Sequence, residues 1–165
     1  MQLNSERLIF TKATETDRKN YLSWYTNDTV MKYITGKGMT DEAANARFEF
    51  ALETNNKFPE LGFYAVNKKN DNSFVGLGKL VYYGTDQAEI GYGFMPDYWG
   101  KKFATEMLKC FIKYSKTLPK IHELIAIVDP DNIPSKKVLT NQSFTFLKKD
   151  LENERPSEYY ILSLQ

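Results

Sequence analysis

Residues 88–95 read Ala-Glu-Ile-Gly-Tyr-Gly-Phe-Met, and no other stretch constrains the fold as strongly. Strand alternation sends Ala88, Ile90, Tyr92 and Phe94 to one face and Glu89, Gly91, Gly93 and Met95 to the other. One face packs and the other is nearly bare. Glycine weakens a strand, so two of them mark either a bulge that bends the sheet or a place where a ligand or another backbone approaches closely. The strand leads through Pro96-Asp97-Tyr98-Trp99-Gly100 into a helical pattern in which Ala104, Leu108, Phe111, Ile112 and Ser115 share a face. The free N–H groups at a helix start, with the dipole, form a ready site for a phosphate or pyrophosphate, and Lys101 and Lys102 add positive charge there.

The rest of the chain supplies neighbours for this unit. Alternation around Leu8 and Phe10 predicts a strand ending at Thr14. Thr14 and Asp17 are spaced to cap a helix carrying Tyr21, Leu22 and Tyr25, and a second helix is predicted after Thr40, running toward Asn55. Leu61 to Lys68 and Phe74 to Tyr83 read as a hairpin around Lys69-Asn70-Asp71-Asn72, and Gln87 to Met95 as the next strand. Ile121 to Val128 reads as a strand, Asn132 to Asn141 as a helix capped by Asn132, and Phe144 to Leu151 and Tyr159 to Leu164 as two closing strands. This order predicts a mixed α/β fold of seven strands and four helices around one twisted sheet, as a single domain over residues 1–165.

Composition excludes several classes of function. Twenty-two Lys and Arg against 21 Asp and Glu leave a net charge of +1, so a nucleic-acid partner is not expected. Cys110 is the only cysteine and His122 the only histidine, which leaves no internal disulfide and no ordinary transition-metal cage, so no metal is expected. No run of about 18 apolar residues occurs, and Met1 to Arg7 lack a basic stretch leading into an apolar one, so no membrane partner and a cytoplasmic location are expected. Cys110, His122 and Asp129 are the residue types of a thiol hydrolase. That reading is set aside, because Cys110 falls in an apolar helical pattern and no motif surrounds His122.

Three motifs resemble a known family. Glu6-Arg7-Leu8-Ile9-Phe10, the segment Glu89-Ile90-Gly91-Tyr92 with Tyr98-Trp99-Gly100-Lys101-Lys102-Phe103-Ala104-Thr105-Glu106, and Asp129-Pro130-Asp131-Asn132-Ile133-Pro134-Ser135-Lys136-Lys137-Val138-Leu139 are similar to the GNAT superfamily of acyl-CoA N-acyltransferases. The likeness is to the branch of ribosomal-protein and N-terminal-amine acetyltransferases and covers nearly the whole chain. It implies a mostly antiparallel sheet with a splayed central strand pair, and acetyl transfer from acetyl-CoA to a primary amine of a peptide or small molecule, by direct attack in a ternary complex. A homodimer is also compatible with it. A catalytically silent acyl-CoA-binding or regulatory module is the alternative.

The resemblance also implies site residues. The pantetheine arm would add to the strand from Glu89 to Met95, with Phe94 and Met95 in contact, and the pyrophosphate would lie on amides of Gly100, Lys101, Lys102, Phe103 and Ala104. Asn132 would touch the arm, and Lys136 or Lys137 would meet the ribose phosphate unless they only form a solvated helix face. Two positions depart from the family pattern: Lys102 stands where glycine is expected, and Leu139, seven residues after Asn132, where many members carry a tyrosine that protonates the departing thiolate. Glu89 is the candidate base, acting through water, its alternative being a salt-bridged strand carboxylate. Ser135 is the candidate donor to sulfur, its alternative a local capping bond.

Overall fold

The computed structural model describes residues 2–165. Its strands are β1 (Gln2–Asn4), β2 (Leu8–Lys12), β3 (Gly62–Lys68), β4 (Phe74–Tyr83), β5 (Gln87–Phe94), β6 (Glu123–Val128), β7 (Thr145–Glu152) and β8 (Arg155–Ser163). They form one sheet in the order β1-β2-β3-β4-β5-β6-β8-β7. Every neighbouring pair is antiparallel except β5 and β6. The helices are α1 (Arg18–Tyr25), α2 (Asp28–Met31), α3 (Asp41–Lys57), α4 (Phe103–Ser115) and α5 (Ile133–Asn141).

This is the mixed α/β architecture expected, with one strand and one helix more. The extra strand, β1, is three residues long and too short to show a period. The extra helix, α2, is a single turn set off when Asn27 takes extended backbone and its side chain accepts the Val30 N–H at 3.0 Å. Thr40 caps α3 in the same way, accepting from Ala43 N at 3.2 Å. In the β3–β4 hairpin Asn72 takes a φ of 58°, which asparagine tolerates better than most residues.

Two cores fill the faces of the sheet. On one, Met107, Leu108 and Phe111 of α4 pack fully buried against Phe10, Tyr64 and Leu80, with Phe111 meeting Phe10 and Tyr64 at ring-centroid distances of 5.3 and 5.1 Å. Each such side chain contributes about 1.5–3 kcal/mol of burial. On the other face α1 and α3 place Tyr21, Trp24 and Phe48 against Ala65 and Leu77.

The bare face of β5 turns out to be covered by this protein's own side chains. A Cβ on Gly93 would lie 2.4 Å from Cζ2 of Trp24, and one on Gly91 would lie 2.8 Å from Cε of Lys79. The register between β4 and β5 runs without a shift from Tyr83↔Gln87 to Gly76↔Phe94, so neither glycine marks a bulge. Glycine at 93 makes room for an indole whose Nε1 donates to the Gly93 carbonyl at 3.2 Å. We predict that Gly93→Ala costs about 1–3 kcal/mol by forcing Trp24 aside, a melting-temperature drop of roughly 2–4 °C per kcal/mol. A thermal melt superimposable on wild type would contradict the packing argument.

Candidate active site

The sheet opens where β5 and β6 part. Their parallel pairing covers only Gln87↔Glu123, Ala88↔Leu124 and Glu89↔Ile125. Beyond it β5 stays on β4 as far as Phe94, while β6 stays on β8 through Val128↔Glu158. Met95 donates its N–H to Val75 O at 2.8 Å. By the alternation of an antiparallel ladder, the backbone groups of Ile90, Tyr92 and Phe94 therefore face away from β4 and into the gap. A cavity of about 570 Å³ lies along it, lined by Tyr92, Gly93 and Phe94, by Gly100 and Lys102 to Thr105, by Asn132, Pro134, Ser135 and Val138, and by Thr29, Val30, Tyr33 and Ile34 around α2. A smaller one of about 90 Å³ runs between Ile90–Tyr92 and Ala126–Asp129, again meeting Asn132 and Ser135.

The start of α4 forms one wall. Gly100 has a φ of 74° and Lys102 a φ of 63° with ψ 22°, so the position that departs from the family pattern holds the left-handed conformation that glycine adopts without cost. A lysine there stores on the order of 1 kcal/mol of strain. Lys102 lines the cavity and leaves it open.

The strained turn is clamped from β2's side. Arg7 donates Nη2–H to Lys101 O at 2.9 Å and Nε–H to Glu106 Oε2 at 2.7 Å, with its guanidinium carbon 4.5 Å from the Phe103 ring centroid. Ser5 Oγ and Arg7 N each donate to Glu106 Oε1 at 2.6 Å. Burial alone would raise the Glu106 pKa, but the bonds from Ser5 and Arg7 and the Arg7 charge outweigh it and hold the carboxyl below its usual range. Arg7 and Glu106 both fall inside the sequence motifs, yet their pairing across 99 residues leaves no local signal.

The start of α5 forms the other wall. Asn132 Oδ1 accepts the Ser135 N–H at 3.3 Å, so the capping bond belongs to Asn132 and the Ser135 hydroxyl is spent elsewhere. Ser135 Oγ lies 3.1 Å from the Tyr92 hydroxyl, which is also 3.4 Å from Ser135 O. Burial pushes the Tyr92 pKa up to about 12, partly offset by the Ser135 bond. Leu139, in the place of the family tyrosine, is buried. Tyr92 was legible only as a packing residue of β5, since its partner comes from another element.

The structure thus brings Phe94, Gly100, Lys102, Phe103, Ala104, Asn132 and Ser135 to one cavity. The side chains of Glu89, Met95, Lys101 and Lys137 stand outside both cavities. Met95 packs beside the α1–α3 core, Lys101 reaches the Tyr98 ring at 5.6 Å, and Lys137 is exposed. Lys136 is tied to Pro130 O at 3.0 Å and to Glu158 at 3.2 Å. Glu89 stands at the last β5–β6 pair with its carboxylate 2.5 Å from Lys79 Nζ. Cys110 lies on α4 with its thiol pKa raised by burial, the reverse of what a nucleophile needs.

A family model described as acetyltransferase (GNAT) domain matches residues 7–145. The chain belongs to the GNAT acetyltransferases. It is 28% identical to YnaD, an uncharacterized N-acetyltransferase of Bacillus subtilis (strain 168), over 100% of this chain and 98% of YnaD. A GNAT-family acetyltransferase from Bacillus anthracis superposes with a TM-score of 0.81 at 25% identity, over 99% of both chains. RimL, a ribosomal L7/L12 alpha-N-protein acetyltransferase solved in complex with coenzyme A, shares the fold at a TM-score of 0.83 and 14% identity, over 99% of this chain and 98% of RimL. Membership makes this chain an acetyl-CoA-dependent N-acetyltransferase. Among the described residues no helix is long and apolar enough to cross a membrane.

The Glu106 clamp yields a test with a defined pH sign. Glu106→Gln should cost about 1.5–3 kcal/mol at neutral pH, the range for hydrogen bonds to a charged group. Because the native carboxyl titrates below its unfolded value of about 4.3, the wild-type advantage is full above that pH and vanishes as pH falls through the native pKa. Urea unfolding at pH 7 and pH 3 would measure it; a stability difference of equal size at both would contradict the assignment.

Proposed function

We propose that this GNAT enzyme moves acetyl from acetyl-CoA to a primary amine, of a peptide N terminus or a small molecule, by direct attack while both are bound. One observation carries the reading: past Glu89, β5 faces backbone paired by neither β4 nor β6 into a gap that runs to the strained turn before α4, where Trp99 holds the Phe94 carbonyl. The residues present fit the group. Amides of a pantetheine arm find a strand partner at Tyr92, the Phe94 N–H being kept for the thioester carbonyl and the Phe94 carbonyl being held by Trp99, and a pyrophosphate finds the backbone from Gly100 to Ala104 on the side that Lys102 lines. Lys137, exposed on α5 and outside the cavity, is the residue we assign to a ribose phosphate.

Acetyl-CoA supplies the acetyl group as a thioester, and the chain's residues do the rest. The β5 amide near Phe94 stabilises negative charge on the carbonyl oxygen as the amine nitrogen bonds to carbon. Glu89, fixed by Lys79, takes the surplus ammonium proton through water. Ser135 faces the departing sulfur from α5. Positioning two reactants supplies about 7–11 kcal/mol of barrier reduction, and proton transfer about 10²–10⁴-fold, so the reaction proceeds without a tyrosine at Leu139.

On the acceptor side, around α2, the lining is Thr29, Val30, Tyr33 and Ile34. This favours an amine carried beside an apolar or aromatic group over a polyamine, for whose further charges the lining of this cavity offers no carboxylate. Turnover with acetyl-CoA and a panel of N-terminal peptides, aromatic monoamines and spermidine, read by CoA release and product mass, tests the proposal. We expect a singly acetylated peptide or monoamine favoured at least about tenfold over spermidine, since 1.4 kcal/mol suffices for that ratio. Glu89→Gln should lower kcat by about 10²–10⁴-fold with the KM for acetyl-CoA unchanged. Thermal stabilisation by acetyl-CoA without acetylation of any amine would contradict the transferase reading.

A further inference from the structure

The hydroxyl pair between β5 and α5 has a specific use. Tyr92 and Ser135 come from elements 43 residues apart and both line the two cavities along the gap. Their side chains hold two hydroxyl hydrogens and face three oxygens, Tyr92 Oη, Ser135 Oγ and Ser135 O, within 3.1 and 3.4 Å. Two arrangements satisfy this geometry. In one, Tyr92 donates to Ser135 O and Ser135 donates back to Tyr92. In the other, Tyr92 donates to Ser135 Oγ, and the serine hydrogen is free to point into the cavity. The pair passes from the first to the second by rotating two O–H bonds, with no heavy-atom movement.

We propose that Tyr92 is a positioning residue that turns the Ser135 O–H onto the thioester sulfur, so that the sulfur leaves as a hydrogen-bonded thiolate and is not protonated by the enzyme. This inference rests on the acetyl-transfer reading above. As the amine nitrogen bonds to the carbonyl carbon, the carbon–sulfur bond breaks with its electron pair going to sulfur. The ammonium proton leaves through water, and CoA takes a proton from solvent after release. Acidity decides against full transfer from the pair. With Tyr92 near 12 and a thiol of about 8.5, a proton moved from the tyrosine to sulfur runs about three-thousandfold uphill, whereas a hydrogen bond from Ser135 polarised by Tyr92 needs no such transfer. The pair thereby does what the family tyrosine would do from position 139, with donation in place of protonation.

The thiol of bound CoA reports this directly. CoA labelled with carbon-13 beside the sulfur, titrated by NMR on the intact protein, gives the bound thiol's pKa. Lys102, Asp129, Tyr33 and Tyr98 also line these cavities and are kept in every variant, so differences report the hydroxyls. Tyr92→Phe should weaken the bound thiol's acidity about three- to tenfold, the size of a lost hydrogen bond between neutral groups. Ser135→Ala should do the same, and the double variant should go no further than Ser135→Ala alone, because the two act as a unit. Fluorotyrosine placed at 92, which keeps the shape and strengthens donation, should move the acidity the other way and serves if Tyr92→Phe does not fold. An unchanged thiol pKa in the Tyr92 variants, or effects of the two positions that simply add, would overturn the inference. A carbon signal that never responds to the protein would instead overturn acetyl-CoA binding itself.

Discussion

Three consecutive residue pairs between β5 and β6, and then none, determine what this molecule can do. Each strand is held to its end by its other neighbour, β5 by β4 and β6 by β8, and neither can follow the other without giving up a full ladder. The sheet therefore carries an internal edge whose N–H and C=O groups need partners. An exposed edge on a sheet's rim invites another chain. This one lies between helices in the middle of the sheet, where a narrow, extended, amide-bearing molecule can supply the missing partners.

The walls of the gap are held by contacts distant in sequence. The turn before α4 is strained at Lys102, and Arg7 and Ser5 fix it through the Glu106 carboxylate and the Lys101 carbonyl. Trp99 donates Nε1–H to Phe94 O at 2.7 Å, tying the same turn back to the end of β5. On the other wall the Asn132 cap sets the first turn of α5, and the Ser135 hydroxyl is left for Tyr92. Strain at one helix start and an interelement hydroxyl pair at the other are both sustained by the packed cores on either face of the sheet.

Much of this was legible in the sequence where the cause is local. Alternation revealed β5, Asn and Asp revealed the β3–β4 turn, and the cap at Asn132 was readable from its type and place. The motifs also placed Lys102 at a position that wants glycine, and the left-handed backbone there shows why. The illegible part depends on partners far along the chain. Gly91 and Gly93 look like openings for a ligand until Lys79 and Trp24 are seen filling them. The Ser135 hydroxyl looks like a cap until Tyr92 is found against it. Glu89 reads equally as a base or an ion-paired carboxylate, and its ion pair with Lys79 at the apex of the gap is compatible with both.

Backbone hydrogen exchange tests the central claim that the gap is an internal edge waiting for a partner. Amides of residues 90–94 and 100–104, followed one by one with and without CoA, should slow sharply at Tyr92, Phe94 and the turn before α4, with little change at amides of β5 already bonded to β4. Exchange unaltered in both segments while CoA is bound, or protection confined to other parts of the sheet, would contradict it.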